Sequence, residues 1–297
     1  MKTFSIIIPS YNSKSFIKAT IDALINTDYD KNLIEIIIID DGSTDGSFEY
    51  VNQLIKDLPY IKQIKKHNGN WGSVINYAKN QHLVKNEIVA VLDSDDQYLP
   101  DTFKIVAQKI QNHDLFAGSF YHFDGQKKQK KINTYWFLTK RILTNKKQMN
   151  GPYCLPLPLF FTKELFYQLN DLREGVAFQD PDFFSQLTKN AKSMIFTKKA
   201  VGLYYYKRPN NSRSITWDYD KRFEPELYAC YQLIKNDANE CVSYRLNIKP
   251  FYQLVKKENI IFEIKNRLSF KWFPWYLRFF YFLIYFFKHK KLFKKVK

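Results

Sequence analysis

Through the first hundred residues, short apolar runs alternate with apolar positions at helical spacing, the pattern of βαβ units built around a mostly parallel sheet. Phe4–Ile8 reads as a buried strand. Ile17, Ile21, Leu24 and Ile25 then recur on one face of an expected helix over Lys14–Asn26. Ile34–Ile39, broken only by Glu35, is expected as a second strand and Ile61–Lys65 as a weaker third. Val74–Gln81 reads as a helix and Ile88–Leu92 as a fourth strand. Near-continuous β-branched runs mark strands covered on both faces. In doubly wound sheets of that kind ligands bind outside the carboxyl ends of the strands.

Beyond Pro100 the periodicity weakens. A helix is expected over Thr102–Gln111 and a strand over Leu115–Phe123, and Pro152, Pro156 and Pro158 punctuate a loop. Helices follow near Lys163–Leu169 and Pro181–Thr188, then a strand over Ala200–Tyr206. No internal repeat is visible. From about Asp218 the pattern turns helical, aromatic and basic, which sets an expected boundary between a domain of residues 1–217 and a C-terminal region of residues 218–297.

Composition sharpens the picture of the second region. The 297 residues carry 46 Lys and Arg against 29 Asp and Glu, a net charge of +17, with 26 Phe and 21 Tyr. Residues 219–297 hold 17 of the basic and 7 of the acidic residues. A second block, Lys127 to Lys147, has eight cations and no acid. Such patches attract polyanions, unless they are simply a solvated lysine-rich face. The stretch Trp272–Phe287 is sixteen residues long and interrupted by Pro274 and Arg278; a spanning helix needs about 20 apolar residues. Trp and Tyr favour the headgroup level, and six lysines among the last ten residues favour anionic lipid. Residues 271–297 are therefore expected to associate with an anionic membrane surface, with packing on the domain or an oligomer contact, and so a homo-oligomer, as the alternative. Cys154, Cys230 and Cys241 form no CxxC pair, which argues for a reducing compartment and against zinc. The run Ile6–Ile8 before Pro9 is too short for a signal peptide, so the expected location is cytoplasmic, peripheral at the inner face of the cell membrane.

The candidate chemistry stands just past three expected strands: Pro9-Ser10-Tyr11-Asn12, Asp40-Asp41-Gly42-Ser43 and Asp93-Ser94-Asp95-Asp96. Parallel strands bring those ends side by side, so four or five carboxylates converge. They would repel one another unless a cation or hydrogen-bond donors met them. Magnesium or manganese bridging a diphosphate is the simplest partner. Taken singly, the second segment also reads as a turn and the third as a helix cap.

Together, Ser5-Ile6-Ile7-Ile8-Pro9-Ser10-Tyr11-Asn12, Ile38-Ile39-Asp40-Asp41-Gly42-Ser43-Thr44-Asp45 and Val91-Leu92-Asp93-Ser94-Asp95-Asp96 resemble the family 2 glycosyltransferases, of the glycosyltransferase A fold, over roughly residues 3–215. The resemblance implies an α/β fold: a Rossmann-like, mostly parallel sheet flanked by helices, with a donor half over about residues 1–100, an acceptor half over about residues 101–217, and a helical basic and aromatic appendage. It implies an inverting transfer from a nucleotide-diphosphate sugar, with UDP favoured, to a glycan or lipid-linked acceptor of surface polysaccharide. Pro9 and Tyr11 would line the base, Asp41 would hydrogen-bond its edge, and Asp93 would face the ribose or metal. Asp95, with Asp96 as second ligand or neighbour, would coordinate Mn2+ or Mg2+.

Further segments extend the likeness. His67–Asn76 is similar to the family's donor-side loop and helix start, with Ile75 where an arginine often stands, and helix-start amides plus Asn76 could partly replace that contact. Gly175–Phe184 is similar to the segment that carries the base, with Gln179 in place of Glu, which singles out Asp180 as the base. Asp182 is the alternative, and Asp180 as a plain helix cap the structural one. Tyr204–Ile215 is similar to a closing loop in which Arg208 or Arg213 would reach the pyrophosphate. A sugar nucleotidyltransferase would carry a glycine-rich loop where Pro9–Asn12 stands. A basic membrane- or nucleic-acid-binding module leaves the carboxylates unexplained, and no nucleic-acid partner is expected.

Overall fold

The isoleucine-rich runs form the middle of a sheet of nine strands among the described residues. The computed structural model describes residues 1–132, 155–205 and Glu226. Its strands are β1 (Phe4–Ser10), β2 (Ile34–Asp40), β3 (Ile61–Lys65), β4 (Ile88–Val91), β5 (Gln97–Tyr98), β6 (Leu115–Phe123), β7 (Lys128–Ile132), β8 (Leu159–Thr162) and β9 (Met194–Tyr205). They lie in the order β3-β2-β1-β4-β8-β6-β9-β5, with β7 beside β6. The pairs β1/β2, β1/β4, β2/β3 and β6/β9 are parallel. β8 runs antiparallel between β4 and β6, and β5 and β7 also pair antiparallel. The sheet is thus parallel where it carries the three motifs and mixed beyond β4, as an α/β fold of the expected kind.

Helices α1 (Ile17–Ile25), α2 (Ser47–Ile55), α3 (Asn70–Asn80), α4 (Thr102–Ile110), α5 (Lys163–Tyr167) and α6 (Asp180–Asn190) cover both faces. The period of two along the strands divides their side chains between two cores. Ile6, Ile8, Ile36, Ile38 and Ala90 join Ile17, Ile21, Leu24, Val51, Phe103 and Val106 from α1, α2 and α4. Ile7, Ile37, Ile39, Val89 and Val91 join Val74, Ile75, Ala78, Phe166, Phe183 and Leu187 from α3, α5 and α6. That two-sided burial is why the central strands carry almost no polar side chain. Burying each isoleucine contributes about 1.5–3 kcal/mol relative to exposure.

Several elements differ from the sequence reading. β9 begins at Met194, well before Ala200, because its first residues pair with Leu115–Ala117 of β6 across a register shift. α3 begins at Asn70 rather than Val74. Helix α2 and strand β8 were not expected. α5 is short and capped by the Thr162 hydroxyl, which accepts from the Leu165 N–H at 3.2 Å.

The chain divides into two compact units, Met1–Ile248 and Lys249–Lys297. The expected boundary at 217/218, the greater part of the Lys127–Lys147 block, the closing loop from Tyr206 with Arg208 and Arg213, and the tail over 271–297 lie outside the described residues. Among the described residues no helix is long and apolar enough to cross a membrane.

Candidate active site

Register places the motifs side by side. Ser10 and Asp40 are partners at the ends of β1 and β2, and Asp40 pairs with Lys65 of β3. Past β1, Pro9 is buried within the strand, whereas Tyr11 is 51% exposed at its mouth. Asn12, at φ 47°, bends the chain there. Its N–H donates to the Ser43 hydroxyl, and its Oδ1 accepts from the Thr44 N–H, both at 2.9 Å, so the first two motifs are one hydrogen-bonded unit.

The two acids of the second motif are engaged by protein. Asp40 accepts from the Ser43 N–H at 3.0 Å, and its Oδ1 is buried with no hydrogen-bond partner among the described residues. Asp41 takes Lys66 Nζ at 2.7 Å and the Gly69 N–H at 3.1 Å. Both members of this ion pair are largely buried. Gly42, at φ 78°, is required by the turn, since a Cβ there would meet the Asn68 backbone nitrogen at 3.0 Å. The Asp41 motif therefore anchors the start of α3 to the end of β2.

The third motif is the candidate cation site. Ligand oxygens of Asp93, Asp95 and Asp96 lie within 4.8 Å of one another. The Asp96 N–H donates to the Asp93 carbonyl at 3.0 Å, closing a tight turn, and the Thr20 hydroxyl of α1 sits 2.9 and 2.8 Å from the carbonyls of Ser94 and Asp96. Asp96 is 1% exposed; its Oδ1 accepts from the Tyr205 N–H at 2.9 Å, and its Oδ2 is buried with no hydrogen-bond partner among the described residues. Loss of hydration, and then the charge of Asp93, push the Asp96 carboxyl well above the usual carboxylate range. A compact set of hard oxygen ligands, one orphaned in the interior, fits a divalent cation such as Mn2+ or Mg2+.

Asp180 is the first residue of α6, and Gln179 occupies the capping position without a side-chain cap bond. Phe178 precedes them at φ 58°, a conformation a bulky residue rarely adopts, which turns the chain into the helix. Asp180 is partly buried, and its carboxyl is pushed up to about 7 by loss of hydration and then by the charge of Asp93. The two groups therefore share one electrostatic environment. A carboxylate poised near neutrality beside a cation site suits general-base work. Asp182, the alternative, has an oxygen 3.3 Å from the Gln186 Nε2–H one turn along the helix.

Asn76 is spent on the protein. Its amide nitrogen donates to the Leu172 carbonyl at 2.8 Å and to Glu174 at 2.9 Å, and its oxygen accepts from the Leu172 N–H at 2.8 Å. It joins α3 to the segment that leads into Asp180. The same join uses the Gly175 N–H to the Gly69 carbonyl at 2.8 Å and Asn70 Nδ2 to the Val176 carbonyl at 3.2 Å. Two residues near the site went unassigned in the sequence reading. Trp71 donates its indole N–H to Asp93 Oδ1 at 2.8 Å. Arg173 has Nε and Nη2 buried with no hydrogen-bond partner among the described residues. The segment His67–Asn76 pointed to the region, but neither partner could be named from local spacing.

The family model described as Glycosyl transferase family 2 matches residues 5–169. An uncharacterised glycosyltransferase of Mycoplasma genitalium is 39% identical over 293 residues, covering 97% of this chain and 98% of that protein. The minor teichoic acid biosynthesis protein GgaA of Bacillus subtilis is 26% identical over 79% of this chain and 54% of its own length. Among solved structures, residues 1–349 of TarS from S. aureus, in complex with UDP-GlcNAc, superpose with a TM-score of 0.63 at 21% identity, covering 91% of this chain and 76% of that one.

Proposed function

The chain belongs to glycosyl transferase family 2, and from that premise we propose that it moves a sugar from a UDP-sugar to a hydroxyl of a glycan or lipid-linked acceptor, with inversion at the transferred carbon. The observation that carries this reading is the pairing of the Asp93-Asp95-Asp96 cluster with Asp180, whose carboxyl is held near neutrality partly by Asp93.

The roles divide by environment. Tyr11, exposed where β1 ends, is the surface on which a nucleobase would rest, while Asp41 holds the start of α3 through Lys66 and Gly69. Asp95 and Asp96, with Asp93 beside them, would hold Mn2+ or Mg2+, which supplies neutralisation of the charge that develops on the leaving diphosphate. Asp180 accepts the proton of the acceptor hydroxyl. The freed oxygen then bonds to the anomeric carbon opposite the departing diphosphate, whose bond to that carbon breaks. Arg208 and Arg213 remain candidates for a pyrophosphate contact on sequence grounds alone. A phosphate-bearing glycan acceptor accords with the protein's net charge of +17 and with the likeness to GgaA, a minor teichoic acid biosynthesis protein.

The test is a thermal-shift panel of nucleotide sugars with and without Mn2+. One UDP-sugar should stabilise the protein in the presence of metal and not in its absence. Asp95→Ala should remove that shift, while Asp180→Asn should keep it and stop transfer. Equal loss of donor binding in both variants would overturn the division of roles.

A further inference from the structure

Trp71 stands between the two acids that the reaction divides. It lies in the first turn of α3, partly buried, with its indole N–H 2.8 Å from Asp93 Oδ1. Its ring meets Phe183 edge-on, with centroids 5.4 Å apart at 77°. Phe183 lies one turn along α6 from Asp180, is 1% exposed, and is itself braced edge-on by Phe161 of β8 at 5.7 Å. One side chain thus touches a cation-site carboxylate and the helix that carries the base.

The backbone around it prevents slippage. Gly72 sits against the Arg173 carbonyl and Gln179, where a Cβ would meet those atoms at 2.7 and 3.0 Å. The 172–177 segment is stitched to α3 by the bonds of Gly175, Asn70 and Asn76. The indole N–H is also the right kind of donor. It is neutral, so it fixes the plane of the Asp93 carboxylate without cancelling the charge that attracts a cation. A lysine or arginine in its place would cancel that charge.

We propose that Trp71 is a positioning residue: its indole N–H orients Asp93 for the divalent cation and donor diphosphate, and its ring contact with Phe183 keeps that carboxylate in register with the helix bearing Asp180. The proposal rests on the glycosyltransferase reading above. Partners that orient metal ligands typically contribute 10–100-fold in affinity or activity.

The decisive variant is Trp71→Phe, which keeps an aromatic ring against Phe183 and removes the N–H. Calorimetric titration of Mn2+ in the presence of UDP should show an affinity roughly 10-fold weaker or more. At saturating Mn2+, kcat should fall while KM for acceptor stays put, and the melting temperature without metal should change little. Phe183→Leu, which keeps the N–H and loosens the brace, should lower kcat with a smaller loss of Mn2+ affinity. A folded Trp71→Phe protein with unchanged Mn2+ affinity and kcat would overturn the proposal. So would a loss of affinity accompanied by an equal loss in a distant destabilising control such as Ile55→Val.

If Trp71→Phe does not fold, the wild-type chain labelled with 5-fluorotryptophan carries the test. Its five tryptophans give 19F signals assigned by replacing the other four one at a time. The Trp71 signal should shift on addition of Mg2+ and UDP, and an unmoved signal overturns the idea. Asp95→Ala separates the two levels. If it leaves Mn2+ binding intact, the reading of the cation site fails; if it abolishes binding while Trp71→Phe does not weaken it, only the role of Trp71 fails.

Discussion

Asp180 is where burial and the proposed function meet most directly. In the folded protein loss of hydration, and then the charge of Asp93, push its carboxyl up to about 7, from the usual 3.8. Between those values the native state binds one more proton than the unfolded chain, so the stability associated with this group is full below about pH 4 and declines as pH rises toward 7. Asp180→Asn removes the titration. In chelator, the melting temperature of the variant should draw ahead of wild type as pH rises from 4 to 8, with little gap at the acid end. Because the charge of Asp93 is part of the cause, Mg2+ should narrow the gap. Transfer by the variant should fall roughly 10²–10⁴-fold, the range for a lost general base, with donor affinity unchanged. A gap that widens toward acid, or a variant that keeps its turnover, would remove Asp180 from the role.

At the scale of elements, the join between α3 and the 172–179 segment links the proposed donor side to the helix that carries Asp180. Asn76 was read from the sequence as a replacement for a phosphate contact, and in the structure its amide is occupied by Leu172 and Glu174. Asn76→Ala would leave the Leu172 N–H and carbonyl unpaired in the interior, a cost of about 1–3 kcal/mol. It should lower the melting temperature and leave UDP affinity as it was, a split that calorimetry and a thermal melt read together. Loss of UDP affinity without loss of stability would restore the phosphate role. The same contrast shows what the sequence could reveal. β1, β2 and β4 were legible because each is apolar on both faces. Helix α2 was not, since Ser47, Val51 and Ile55 make a stripe too narrow to stand out. β8 is four residues whose place depends on β4 and β6, distant in the chain. Asp93, Asp95 and Asp96 were legible as a cluster because they are local, whereas Trp71 acquires meaning through Asp93 and Phe183, which no local pattern connects to it.

On the proposed function the whole molecule must bring this site to its acceptor, and its charge suggests how. The net +17 is concentrated in residues 219–297, and the segment Trp272–Phe287 followed by lysines has the composition of an interfacial attachment. Each lysine near an anionic surface contributes about 1 kcal/mol, an effect confined to roughly 8 Å at physiological salt. Several lysines acting with aromatic side chains at the headgroup level would suffice for reversible binding. The full chain should therefore sediment with vesicles containing phosphatidylglycerol, less so at about 1 M salt, and not with neutral vesicles. A chain ending at Phe270 should lose vesicle binding and transfer to a lipid-linked acceptor held in those vesicles, while keeping its melting shift with UDP-sugar and Mn2+. That combination would place the defect in delivery rather than in chemistry. If the truncated chain served the vesicle-held acceptor at full rate, and the full chain ignored anionic vesicles, the attachment would be wrong and the basic charge would belong to recognition of the glycan itself.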